Sequence, residues 1–387
     1  MQAIPLALYI HIPWCVRKCP YCDFNSHAAP QQLPEQRYID ALLHDLAQEL
    51  PSIWGRRLES IFIGGGTPSL FSPEALDRLL SGIRALLPLR TSLEITLEAN
   101  PGTFEQAKFK TYRELGINRL SIGIQSFNPK QLHVLGRIHN QEEALRAADI
   151  ARLAGFDNFN LDLMFALPEQ TLEQALADLT QAIALQPTHL SWYQLTLEPN
   201  TLFAKYPPPL PDDDLSADIQ QAGQALLAAA GFKQYEVSAH AQAGRECRHN
   251  RNYWEFGDYI GIGAGAHGKI SHYTEQGNLS ITRYQKARQP DVYMQSTQTA
   301  SARTQVNTLA PEHLGFEFML NALRLKQGFR RSLFSERTGV NADLIQSIIA
   351  QGEQQGLIQT TPDWIEPTEL GWQFLNNTIE LFLPAGA

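Results

Sequence analysis

Short β-branched or aromatic runs alternate with helical patterns through the first half of the chain, and this alternation limits the possible folds more than any other feature. The runs are Leu6 to Ile12, Ser60 to Ile63, Leu93 to Leu97, Arg119 to Ile124, Asn158 to Leu163 and Leu190 to Leu197. Between them, Gln36 to Leu50, Pro73 to Leu86, Phe104 to Leu115, Glu142 to Ala154 and Leu172 to Leu185 are rich in helix-favouring Ala, Leu, Glu and Gln. A strand, a helix and a further strand in regular succession demand parallel pairing through right-handed crossovers. Six such units predict an α/β fold whose sheet forms a partial (βα)6 barrel, with reactive groups just past the C-terminal ends of the strands.

The pattern changes after Asn200. A Pro-rich acidic stretch, Pro207 to Asp214, precedes a helical pattern at Leu215 to Ala230 and a strand pattern at Gln234 to Ser238. Residues 201–270 are therefore read as an accessory extension of a core at 1–200. Residues 271–305 are polar, rich in Gln, Ser and Thr, and lack a clear period, so a loop or linker is expected there. The final segment, 306–387, holds an amphipathic pattern around Glu312 to Leu325, helical patterns to Gln355, a Gly356 stop and a hairpin pattern at Leu357 to Glu366. It resembles a small winged helix.

The chain carries 31 basic and 40 acidic side chains, a net charge of −9, and repels a phosphate backbone. No nucleic-acid partner is expected, and the winged helix is read as a packing or partner-binding module. The absence of a run of about 18 apolar residues, and of a basic region ahead of the first apolar stretch, predicts a cytoplasmic protein.

Cys15, Cys19 and Cys22 form C-x3-C-x2-C directly after the first strand, where Pro13 and Pro20 block a continuous helix, while Cys247 stands apart. In a reducing compartment such a cluster suggests metal ligation or catalysis. One reading is a zinc site completed by His11 or His27. The other is an iron-sulfur cube on three thiolates, whose fourth iron stays open to a small chelating molecule.

Further motifs fall at the strand ends. Gly64-Gly65-Gly66-Thr67-Pro68 follows the second strand, where absent side chains let a ligand approach the backbone. Glu98, Gln125 and Asp162 are polar groups at the ends of apolar runs and need partners if buried. Arg137 offers a fork of donors to a carboxylate.

The cysteine spacing in this setting resembles the radical S-adenosylmethionine (SAM) superfamily, and the motifs from Tyr9 to Asp162 resemble its oxygen-independent coproporphyrinogen III oxidase family. The resemblance implies a radical SAM barrel with a [4Fe-4S] cluster on Cys15, Cys19 and Cys22. It also implies SAM contacts at Tyr9, Tyr21, Gly65, Gly66, Thr67, Glu98, Gln125, Arg137, Asp162 and Thr196. His267 falls at a further contact position, where the oxidases usually have an aliphatic residue.

Two features depart from the oxidases. Their cluster motif continues to a fourth cysteine where this chain has Phe24, and they carry a longer segment before it. Both departures match the heme chaperone branch of the family, as does His249-Asn250-Arg251-Asn252-Tyr253-Trp254, an H-N-x-x-Y-W pattern. This resemblance implies heme as a ligand, with His249 as an axial ligand beside an aromatic pair, respiratory heme acceptors, some of them membrane-bound, and a heme donor. A heme carrier, a porphyrinogen oxidase and a radical enzyme on another substrate all remain open, and Phe24 and the H-N-x-x-Y-W pattern favour the first.

Overall fold

The computed structural model describes residues 4–103, 106–299 and 301–384. Phe104 and Glu105, where the sequence places the start of the third helix, lie outside them. The six expected strands are present as β1 (Leu6–Ile12), β2 (Leu58–Gly65), β3 (Leu89–Ala99), β4 (Arg119–Gln125), β5 (Phe159–Phe165) and β6 (His189–Gln194). They pair in chain order and in parallel. Helices α1 (Glu35–Glu49), α2 (Pro73–Leu86), α3 (Gln106–Glu114), α4 (Gln141–Leu153) and α5 (Leu172–Ala184) form the crossovers.

These helices begin where side chains satisfy otherwise orphaned amides. Ser72 Oγ accepts from the Ala75 amide, and Asn140 with Glu143 and Thr171 with Gln174 form reciprocal capping boxes. Leu8, Ile10, Ile63, Leu97, Ile122, Leu161 and Leu190 are fully buried in one core shared by the strands and helices. Each such side chain contributes roughly 1.5–3 kcal/mol by leaving water.

The segment after β6 contains α6 (Asp213–Ala229), β7 (Lys233–Gln234), β8 (Ala239–Ala241), α7 (Arg248–Trp254), β9 (Asp258–Ile262), β10 (His267–Tyr273), β11 (Leu279–Lys286), α8 (Pro290–Ser296) and β12 (Arg303–Thr308). The single strand expected at Gln234 to Ser238 is instead a turn between two short strands, with the Glu236 carboxylate accepting from the Ser238 amide. β8 runs antiparallel to β6, and β9 lies parallel to β1, pairing Leu6 with Asp258 and Ile10 with Ile262. The strand order is β12-β11-β10-β9-β1-β2-β3-β4-β5-β6-β8-β7. Its two ends do not pair, so the barrel is partial.

The linker expected at 271–305 is a second correction, because that stretch carries the end of β10, β11, α8 and the start of β12. Its strands form an edge flap. β12 is exposed along most of its length and β11 is only half-buried, so Gln, Ser and Thr are tolerated and no apolar period develops. A buried ionic cluster anchors the flap to α1. Lys286 Nζ lies 2.5 Å from Asp45 Oδ1 and 2.7 Å from Glu49 Oε1, the Tyr293 hydroxyl donates to Asp45 Oδ2 at 2.8 Å, and Arg303 also pairs with Glu49.

In the C-terminal segment α9 (Leu314–Ala322), β13 (Phe329–Arg330), α10 (Arg331–Thr338), α11 (Asp343–Gln354), β14 (Ile358–Thr360) and β15 (Trp364–Pro367) follow one another, with the strands in the order β13-β15-β14. Three helices and a hairpin joined to a short third strand make a winged-helix arrangement. Its core of Phe318, Phe334, Ile349 and Ile365 also takes in Phe256 and Ile281 from the accessory sheet segment. Among the described residues no helix is long and apolar enough to cross a membrane.

Candidate cofactor and ligand site

The loop after β1 brings the three cysteines to the C-terminal mouth of the barrel. All three are partly exposed, whereas Cys247 is buried, with its thiol 3.7 Å from Glu94 Oε1. Burial pushes the Cys15 and Cys22 thiols up, so they hold their protons until a metal displaces them. A short pairing of Trp14–Cys15 with His27–Ala28 closes the loop.

His11 serves this loop as a brace. Its Nε2 faces the Asn25 carbonyl at 2.8 Å and therefore donates, which leaves Nδ1 to accept from the Tyr9 hydroxyl at 2.9 Å. Burial pushes the imidazole down to about 4, keeping it neutral. With both nitrogens engaged, His11 is not the fourth ligand of a zinc tetrahedron. Among the described residues no three His, Cys, Asp or Glu side chains are gathered to hold one metal ion.

At the end of β2 the chain passes close under this loop. Gly65 has φ +119, and a Cβ there would sit 2.7 Å from the His11 ring and 2.8 Å from the Ile12 carbonyl oxygen. At Gly66 a Cβ would meet the Trp14 carbonyl oxygen at 2.5 Å. Only glycine fits at either position. The Gly65 amide donates to Glu98 Oε2 at 2.9 Å. Burial, then the nearby Asp162 carboxylate, pushes Glu98 up to about 8 against that hydrogen bond. Burial also raises Asp162, although Ser121 and Asn160 donate to it at 3.1 and 2.7 Å.

Arg137 follows a short helical turn, Pro129–Val134. Its NH2 donates to Asn100 Oδ1 and to the Gly123 carbonyl, each at 2.6 Å, and its NH1 lies 3.8 Å from Cys19 Sγ. Its Nε finds no acceptor among the described residues. Asn100 also donates to Thr67 Oγ1 at 2.9 Å, so it links two of the expected contact residues. Sequence reasoning passed over Asn100, although it stands two positions after Glu98 in Leu-Glu-Ala-Asn-Pro. Gln125 adopts φ +69 and accepts from the Tyr193 hydroxyl at 2.8 Å. The Tyr21 ring packs against Phe203.

A cavity of about 680 Å³ opens beside these groups, and Tyr9, Gly65, Glu98 and His267 all line it. Cys19, Thr67 and Arg137 line a small adjoining hollow with Asn100. Tyr21, Gly66, Gln125 and Asp162 line neither. Thr196 is exposed and donates to Glu198 Oε1, so it is not gathered with the rest.

His249 differs from the expectation of an iron ligand. It is 1% exposed, its Nδ1 lies 3.0 Å from Ser60 Oγ and its Nε2 3.0 Å from the Tyr253 hydroxyl. Burial and the Arg119 guanidinium push its imidazole down to about 3, and the ring stacks on Phe62. Neither nitrogen is free for an iron in this arrangement. The cavity is reached instead by Tyr253 and Trp254, with Phe24 on its wall.

Comparison with known proteins places this geometry. The Radical SAM superfamily pattern matches residues 9–181 and the HemN C-terminal domain pattern matches 309–374. The solved coproporphyrinogen III oxidase of Escherichia coli superposes with a TM-score of 0.82 at 24% identity, covering 98% of this chain and 90% of that one, which establishes the common fold. Proteins named heme chaperone HemW are similar along the whole chain. That of Escherichia coli K12 is 52% identical and that of Haemophilus influenzae 51%, each match covering 98% of both chains. That of Bacillus subtilis is 34% identical over 97% of this chain and 98% of its own. With that level of identity maintained from end to end, the chain belongs to the HemW family, within the radical SAM superfamily.

Proposed function

We propose that this chain is a heme chaperone, which binds heme and passes it to acceptor proteins. The observation that carries the reading is the 52% identity over 98% of both chains to a relative that bears this name. Phe24, which takes the place of the oxidases' fourth cysteine and lines the cavity, supports it. The proposed acceptors are respiratory heme proteins, some contacted transiently at a membrane, with a separate protein donating heme. The proposed compartment is the cytoplasm.

In this reading Cys15, Cys19 and Cys22 hold a [4Fe-4S] cluster and SAM lies beside it. Three thiols on one loop, a glycine pair that lets the end of β2 pass close under that loop, and an Arg137 Nε with no acceptor among the described residues fit the pair. Bound together, cluster and SAM supply one-electron reductive cleavage of a sulfonium. Arg137, whose NH2 is engaged by Asn100 and Gly123, would offer its remaining N–H groups to the SAM carboxylate, and Asn100 would hold both Arg137 and Thr67 in register. Glu98, raised to about 8 by burial and then by Asp162, would accept from the SAM ammonium as a carboxylate, its proton passing to solvent. Tyr9 borders the same space, with its hydroxyl fixed by His11. The proposed division keeps a core at 1–200, extends the accessory segment through β12 and leaves the remainder as the winged-helix module.

Anaerobic reconstitution of the full chain, heme titration, and product analysis after incubation with coproporphyrinogen III, SAM and a reductant test the proposal. The expected result is a cluster on the wild-type chain, saturable heme binding and no protoporphyrinogen. Efficient protoporphyrinogen formation, or no heme binding, overturns it.

A further inference from the structure

The accessory strands give the cavity a wall of different chemistry from the barrel end. β10 and β11 pair His267 with Gln285 and Lys269 with Arg283, and since side chains alternate along a strand these four share a face. All four line the cavity, together with Arg288 just beyond β11. Beside them lie the flat groups Tyr253, Trp254, Phe256 and Tyr259, the last paired with Lys269 across β9 and β10.

The polar groups of this wall are unequally engaged. Lys269 is paired with Asp258 at 3.0 Å, and Arg283 NH2 with Glu317 at 2.6 Å, while Arg283 Nε finds no acceptor among the described residues. Arg288 is exposed and joins no ion pair among the described residues. Asp23 and Glu98 also line the cavity, and neither is paired with either arginine. His267 is exposed as a residue while its ring is turned partly into the cavity wall, and it makes no side-chain hydrogen bond among the described residues. Burial of the group, then Arg283 and Arg288, keep the imidazole below its usual range, so it stays neutral with a lone pair to offer.

We infer that this wall is the heme site, with His267 as the iron ligand, Arg283 and Arg288 holding the propionates, and Tyr253 and Trp254 bordering the macrocycle. The inference rests on the heme-chaperone reading and deepens it. A flat apolar ring with two carboxylates at one edge and a metal at its centre matches an aromatic wall, two cations with spare donors and a free imidazole. His249 then has a positioning role. It holds the Tyr253 hydroxyl from behind and sets the slope of the aromatic wall.

Heme, free-base protoporphyrin IX and heme dimethyl ester, each titrated into the full chain, separate the contacts. For ferrous heme, the iron–imidazole stretch in resonance Raman should vanish in His267→Ala and return with added imidazole, while heme affinity falls on the order of tenfold. Protoporphyrin IX, which has no iron, should bind His267→Ala and wild type equally. Arg283→Gln combined with Arg288→Gln should weaken heme and protoporphyrin IX by a similar factor and leave the dimethyl ester unaffected. His249→Ala should retain the iron–imidazole stretch. An unchanged stretch in His267→Ala, or its loss only in His249→Ala, overturns the assignment while leaving heme binding intact. A wild-type chain that binds no heme overturns both this inference and the reading beneath it.

Discussion

At the scale of single residues, the site depends on side chains that are absent as well as on those present. Gly65 combines a left-handed φ with a backbone that would collide with any Cβ. Gly65→Ala should lower stability on the order of 1–3 kcal/mol and abolish SAM binding, as read by denaturant unfolding and calorimetric titration. Glu98 gives a pH signature. Its folded value is raised to about 8, mainly by burial, whereas an unfolded glutamate titrates in the ordinary range, so the folded chain binds the proton more tightly. That contribution is complete below the ordinary carboxyl range and is lost as pH rises through about 8. In the cluster-free chain, Glu98→Gln should flatten the decline in stability over this window. At its upper end the variant should be about 1 kcal/mol more stable than wild type, a modest figure because the carboxyl borders an open cavity that screens it. Denaturant unfolding across a pH series checks the sign.

The cysteines and the glycine triplet stand out in the sequence because each is a pattern of local spacing. The surroundings of His249 are hidden for the opposite reason. One of its partners, Ser60, lies 189 positions away, and nothing local reveals that both ring nitrogens are engaged.

At the scale of elements, the six parallel strands announced themselves through buried apolar runs, and each lies within a few residues of its expected place. The flap strands did not. β12 is an exposed edge, and β11 buries a lysine whose charge is met by α1, so neither carries the apolar alternation that betrays a strand. α7 shows how long-range contacts also fix a short helix. The amides of Arg248 and His249 at its start lie 3.1 and 3.4 Å from Glu94 Oε1 on β3. A carboxylate at a helix start satisfies free amides and opposes the helix dipole. Glu94→Ala should therefore cost about 1–2 kcal/mol and loosen the aromatic wall, seen as a lower unfolding midpoint and a shift in tryptophan fluorescence. Unchanged values for both would mean that α7 is held by packing alone.

At the scale of the whole molecule, the sheet, flap and winged-helix module share cores. The parallel docking of β9 beside β1 joins residues some 250 positions apart, which periodicity cannot foresee. The module's core includes Phe256 and Ile281, and its Asn321 reaches the cavity. Removing everything after Thr308 should expose both apolar side chains and open one side of the cavity. The expected outcome is a less stable, aggregation-prone chain with weakened heme binding, measured by light scattering and heme titration. A truncated chain that stays monomeric and binds heme as the full chain does would make the module an independent appendage.

Delivery of heme is the central claim, and transfer kinetics test it most directly. The full chain loaded with heme is mixed with an apo respiratory heme protein, and the Soret band is followed while acceptor concentration is varied. In parallel, apomyoglobin in excess reports spontaneous release. The account predicts transfer to the acceptor at a rate that rises with acceptor concentration and exceeds spontaneous release. A rate equal to spontaneous release at every acceptor concentration would contradict it.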